Sequence, residues 1–109
     1  GMSKDEQFKL YPKGADPLYP DCFIANVYNY DPSWTVNWFE NDIPMGKMVQ
    51  YWGEDPLAKA TYPPRSNKKY PWLSIDKTHH LFKAPIIKSS AKITVRVTDR
   101  FGNSYEKSL

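Results

Sequence analysis

One cysteine in the whole chain, Cys22, excludes an internal disulfide and any cluster of thiolates around a metal. It reads as a small buried hydrophobe at the start of a strand. Glycine is scarce as well. The five glycines form no cluster, so the sequence has no loop of the kind that cradles phosphates. Gly-x-Ser-x-Gly and His-Glu-x-x-His are both missing, which removes the common signatures of hydrolytic serine and zinc chemistry. No apolar run is long enough to cross a bilayer, so no membrane insertion is expected, and no secretory leader is visible. Charge of one sign is lacking too: the net charge is +3, with Lys and Arg interspersed among Asp and Glu. The densest basic stretch, Arg65 to Lys69, reads as a solvated loop. No stacking sheet or helix-turn-helix pattern accompanies it, so no nucleic-acid partner is expected.

Proline and aromatic residues are plentiful instead. Ten prolines leave few windows long enough for a helix. An aromatic content of 16% argues against disorder and for a packed core. A length of 109 residues fits a single domain, 1–109. Gly1 before Met2 reads as the remnant of a cleaved tag, and residues 1–5 as tag-derived or unordered.

Alternation then places the strands. Ile93, Val95 and Val97 point one way in an extended segment, and Thr94, Arg96 and Thr98 the other. Asp99 to Asn103 forms a turn, and Tyr105 and Lys107 run back. Burying three such side chains contributes about 1.5–3 kcal/mol each. Ordering the backbone costs about 1–2 kcal/mol per residue. The hairpin therefore needs further strands over its dry face.

Glu6 to Tyr11 reads as a first strand with Phe8 and Leu10 on one face. Pro12 to Asp21 is turn-rich and is expected to be ordered only by its surroundings. Cys22 to Tyr30 has the density of a central strand covered on both faces. Asp31 to Ser33 is a turn, Trp34 to Glu40 alternates, and Asn41 to Gly46 is a second turn, so the two runs look like antiparallel neighbours. Lys47 to Trp52 and Thr78 to Ala84 add two more strands, with a turn near Lys88 to Ser90. The only helical piece is a short turn near Asp55 to Lys59, with Asp55 as cap and Pro56 at the first position. The fold class is all-β: an immunoglobulin-like antiparallel β-sandwich of about seven strands.

His79 and His80 face opposite sides of a strand and have no third ligand at zinc-like spacing. The aspartates sit mostly in turns, where they cap their own backbone. Trp34, Val36 and Trp38 share a face and belong to the core. Trp52 and Trp72 border loops; with Tyr62 they are the candidate patch for a partner or a ligand. A glycan stacked on exposed Trp and Tyr is the alternative occupant.

The run Ile24 to Met48, the Asp55-Pro56 pair, Thr78 to Ala84 and Ile93 to Tyr105 occur in an order that resembles a known family. It is similar to the C-terminal domain that follows the catalytic domain in bacterial calcineurin-like metallophosphoesterases. Its most specific parts are Asn26 to Pro32 and the turn Thr98 to Asn103. The resemblance implies a parent whose catalytic domain holds two divalent metals and acts on phosphoesters, with a periplasmic or extracellular location. The family's metal-binding motifs, Asp-x-His, Gly-Asp-x-x-Asp and Gly-Asn-His, are absent. No catalytic, cofactor-binding or metal-ligating residue is thus expected in this chain. The expected role is that of an accessory domain whose partner is the catalytic domain of the same polypeptide.

Overall fold

A computed structural model describes residues 7–61, 77–88 and 90–109. Among these, the chain forms β1 (Phe8–Tyr11), β2 (Cys22–Val27), β3 (Thr35–Glu40), β4 (Ile43–Lys47), β5 (Val49–Glu54), α1 (Pro56–Thr61), β6 (Lys77–Pro85), β7 (Ile93–Thr98) and β8 (Ser104–Ser108). Two four-stranded sheets result, in the orders β1-β2-β6-β5 and β4-β3-β7-β8. Every pairing is antiparallel. The fold is a β-sandwich. Among the described residues no helix is long and apolar enough to cross a membrane.

The core lies between the sheets and is built by alternation on both. Phe8, Phe23, Val27 and Phe82 come from the first sheet; Val36, Trp38, Val95 and Val97 come from the second. Phe23 and Trp38 meet edge to face across the gap, with ring centroids 5.4 Å apart. Ile93, Val95 and Val97 are buried as their spacing predicts, and Trp34 packs at the margin of the same core.

Three sequence expectations need correction. Asn41 to Gly46 is not one long turn: it holds the start of a strand, which brings the described strands to eight. Only Asn41 and Asp42 turn, with φ of 50° and 67°. Both residue types tolerate the left-handed region, so a two-residue loop of the twist-matched kind closes here. Ile43 pairs at once with Glu40, and β4 begins there despite Pro44 and Gly46. A bulge between Trp38 and Phe39 absorbs the mismatch, and Pro44 sits on an edge strand where a missing N–H is tolerated.

The runs around β2 and β3 are not neighbours. They lie in opposite sheets. The connection from Tyr28 to Trp34 is long enough to cross the sandwich. It is shaped by Asp31, whose carboxylate accepts from the Ser33 N–H (2.8 Å) and hydroxyl (2.6 Å) and whose carbonyl accepts from the Trp34 N–H (2.8 Å).

The segment Pro12 to Asp21 carries its own order, contrary to expectation. Its turns close through Ala15 N–H to Pro12 O (3.0 Å), Tyr19 N–H to Asp16 O (2.9 Å) and Cys22 N–H to Tyr19 O (3.0 Å). It packs against the outer side of β2, where Ala15 joins Tyr11, Ile24 and Leu81 in a second small cluster. That covering explains why β2 is buried on both faces, as its composition suggested.

β4 and β5 are almost one strand. Met48 alone separates them, buried in the core with its N–H on the Val36 carbonyl (2.9 Å). There the chain passes from the second sheet to the first.

Candidate functional site

The most elaborate side-chain chemistry lies on the outer side of the first sheet. Asp55 caps α1, accepting at Oδ1 from the N–H groups of Leu57 (2.9 Å) and Ala58 (3.1 Å). Its other oxygen accepts from the Tyr11 hydroxyl (2.8 Å) and the Asn26 amide (2.7 Å). One carboxylate thereby ties α1 to β1 and β2. Nearby, Asp16 is fully buried; it accepts from the Leu18 N–H (3.1 Å) and the Tyr51 hydroxyl (3.0 Å). Tyr19 meets Tyr51 edge-on at 4.9 Å, and the Lys83 ammonium lies 3.5 Å from the Tyr19 ring centre.

These environments push both phenols well above the usual tyrosine range. For Tyr11 the causes are burial, then the hydrogen bond to Asp55 and its negative charge. For Tyr51 they are burial, then the hydrogen bond to Asp16 and its charge. Burial also raises the Cys22 thiol, with Lys83 opposing it. Such groups are held protonated. The two phenols donate hydrogen bonds and the thiol stays neutral, the behaviour of structural groups rather than of bases or nucleophiles. Among the described residues no three His, Cys, Asp or Glu side chains come together to hold a metal ion.

Of the candidate patch read from the sequence, Trp52 is described; Tyr62 and Trp72 lie outside the described residues, as does the basic stretch Arg65 to Lys69. Trp52 sits at an irregularity in the β5–β6 ladder between Tyr51 and Gly53 and is 52% exposed. The His79 ring lies 4.1 Å from it at a tilt of 42°, so part of the indole face is already occupied. His79 is exposed and His80 half-buried, as their opposite facing on a strand implies.

Two apolar surfaces were not read from the sequence, and they lie at opposite ends of the sandwich. The distal end holds the Pro12–Asp21 segment, the Asn41–Asp42 turn and residues 86–92, linked by Ile86 N–H to Asp21 O (3.0 Å) and Asn41 N–H to Lys92 O (2.9 Å). Exposed Ile43, Met45 and Ile87 flank a shallow groove there of about 180 Å³, completed by Glu40, Asn41 and Lys88. The proximal end is where the described chain begins. Tyr28 N–H bonds the Gln7 carbonyl (3.3 Å). Arg100, in the β7–β8 turn, helps hold the Asp31 carboxyl below its usual range, after the Ser33 hydrogen bonds. First strand, crossing loop and final turn therefore meet at this end.

Phe101 stands at the tip of that turn, 75% exposed, with the Arg100 guanidinium 4.7 Å from its ring centre. The turn is firmly built. Asp99 accepts from the Phe101 N–H (2.9 Å), the Asn103 N–H (3.0 Å) and the Asn103 amide (3.2 Å). Burial opposes ionisation of Asp99, yet these bonds outweigh it and keep its carboxyl below the usual range. Gly102 adopts φ of 84°, the conformation that closes the turn. The sequence did contain a signal: a Phe placed in a turn otherwise made of Asp, Arg, Gly and Asn.

A family model described as the C terminal of calcineurin-like phosphoesterase matches residues 1–105. Comparison with curated proteins found no match, and comparison with solved structures found none.

Proposed function

Because the chain belongs to the family of C-terminal domains of calcineurin-like phosphoesterases, we propose that it is a non-catalytic accessory domain that packs on the phosphoesterase domain of the same polypeptide and shapes access to its substrate site. The observation that carries this reading is the family match along residues 1–105. The chemistry of the described residues supports it. Asp16, Asp31, Asp55 and Asp99 spend their oxygens on turns, on a cap and on ties to Tyr11, Asn26 and Tyr51. Tyr11, Tyr51 and Cys22 are held protonated. The inner faces of both sheets are consumed by a shared core. What such a body offers a neighbouring domain is a rigid surface.

The test is a pair of full-length and shortened polypeptides, the second ending before this domain. Removing the domain is expected to lower the melting temperature of the phosphoesterase domain and to change KM more than kcat for bulky phosphoesters. Identical melting and kinetics in the two would refute the proposal. Phosphatase turnover by the 109-residue chain alone with added Mn²⁺ would refute its non-catalytic part.

A further inference from the structure

We infer that the proximal end of the sandwich, with Phe101 as its apolar anchor, is the face that docks on the phosphoesterase domain of the same polypeptide. The inference rests on the accessory-domain reading above and adds the surface to it.

Chain geometry supplies the first argument. In this family the domain is the C-terminal part, so the phosphoesterase domain comes before it in the polypeptide. The described chain begins at Gln7, whose carbonyl is bonded by the Tyr28 N–H, and β1 runs away from this end toward Tyr11. A tethered partner is presented at high effective concentration to surfaces near the tether, and less so to remote ones.

The build of the surface supplies the second. A turn tip is where polar residues are most at home, and here it carries a Phe 75% exposed. The tip does not need ordering on contact, because Asp99 and Gly102 already fix it. An apolar knob on a preorganised turn loses little entropy when it inserts into a neighbour. Tyr28 on the crossing loop is exposed as well, but its phenol lies near Asp55 on the outer side of the first sheet, so Phe101 is the anchor of this end. Arg100, stacked on Phe101, contributes a positive rim. The rival face, formed by Ile43, Met45 and Ile87, lies at the distal end, away from the tether.

The experiment is hydroxyl-radical footprinting of the full-length polypeptide read by mass spectrometry, each side chain normalised to its intrinsic reactivity. Phe101 is expected to oxidise several-fold more slowly than Ile87 and Met45, although Phe101 and Ile87 are 75% and 84% exposed in this domain. If Ile87 and Met45 are protected and Phe101 is not, the docking face is overturned while packing between the domains stands. If neither end is protected but Trp52 is, the face is overturned and packing stands; if Trp52 is unprotected too, both readings fall. A second measurement guards against loop artefacts. Phe101→Asp in the full-length polypeptide is expected to split one cooperative melting transition into two, and Ile87→Asp to leave it single. The reverse pattern overturns the proposal.

Discussion

The two sheets turn very different outer faces to their surroundings. On the second sheet, β7 and β8 close their exposed side with short-range pairs directly opposite one another. Thr94 meets Ser108 (2.9 Å), Arg96 meets Glu106 (2.6 Å) and Thr98 meets Ser104 (3.0 Å). All of these lie within one hairpin. On the first sheet, the outer side is roofed by the Pro12–Asp21 segment and pinned by carboxylates that bridge distant parts of the chain. Tyr11 reaches Asp55 across 44 positions and Tyr51 reaches Asp16 across 35. The contrast shows where stability is concentrated. Exposed cross-strand pairs are numerous and individually weak. Buried carboxylate ties are few, and breaking one leaves polar groups stranded.

That contrast can be broken most forcefully at Asp55. Asp55→Ala removes a helix cap and leaves the Tyr11 hydroxyl and Asn26 amide without their acceptor; a loss of about 2–4 kcal/mol is expected in urea denaturation. Asp55→Asn, which can still cap, is expected to lose less. An equal loss in both would show that the cap contributes nothing.

Gly53→Ala comes next. A Cβ at Gly53 would lie 2.9 Å from Tyr51 Cε2 and 3.4 Å from Leu81 Cδ1. The Tyr51 ring must shift away from Asp16, and about 1–3 kcal/mol is the expected cost. Full stability in this variant would mean that the roof is looser than the hydrogen bond implies.

Alkaline pH sharpens the comparison without mutation. The fold holds the Tyr11 and Tyr51 phenols neutral, above their ordinary value of 10.0. Their contribution is therefore complete below pH 10 and lost as pH climbs past it. Melting temperature should fall above pH 10, and Tyr51→Phe should flatten that fall. An unchanged slope in the variant would remove Tyr51 from the account.

The smallest effect belongs to the second sheet. Arg96 and Glu106 are about half exposed, at 44% and 46% of their side-chain surface. A double-mutant cycle to Ala is expected to return less than about 1 kcal/mol, shrinking with added salt. A coupling as large as the Asp55 loss would erase the difference between the two faces.

What could be read from the sequence follows the range of each interaction. Alternation is local, so Ile93–Thr98 and Thr35–Glu40 were legible as strands with their buried faces, and Phe8–Tyr11 as a strand; that Tyr11 is buried on the face opposite Phe8 was not legible. The Asp55 cap was legible because its partners are two and three residues away. Its ties to Tyr11 and Asn26 were not, since nothing local announces them. β4 was hidden by Pro44 and Gly46, which look like breakers until an edge position makes them harmless. The placement of β2 and β3 in separate sheets depends on where a loop leads, which hydrophobic pattern does not record. Phe101 was read as part of a turn; its exposure became visible only when the turn was built.

Of the three places where the described chain passes from one layer to the other, one has no loop. At Met48 the backbone leaves one sheet and enters the other with no loop between Lys47 and Val49, and the side chain is sunk in the interior. The two layers thus cannot be peeled apart like stacked cards. A force that separates the layers finds slack in residues 28–34 and 86–92 and none at Met48, so strain gathers first at that buried thioether.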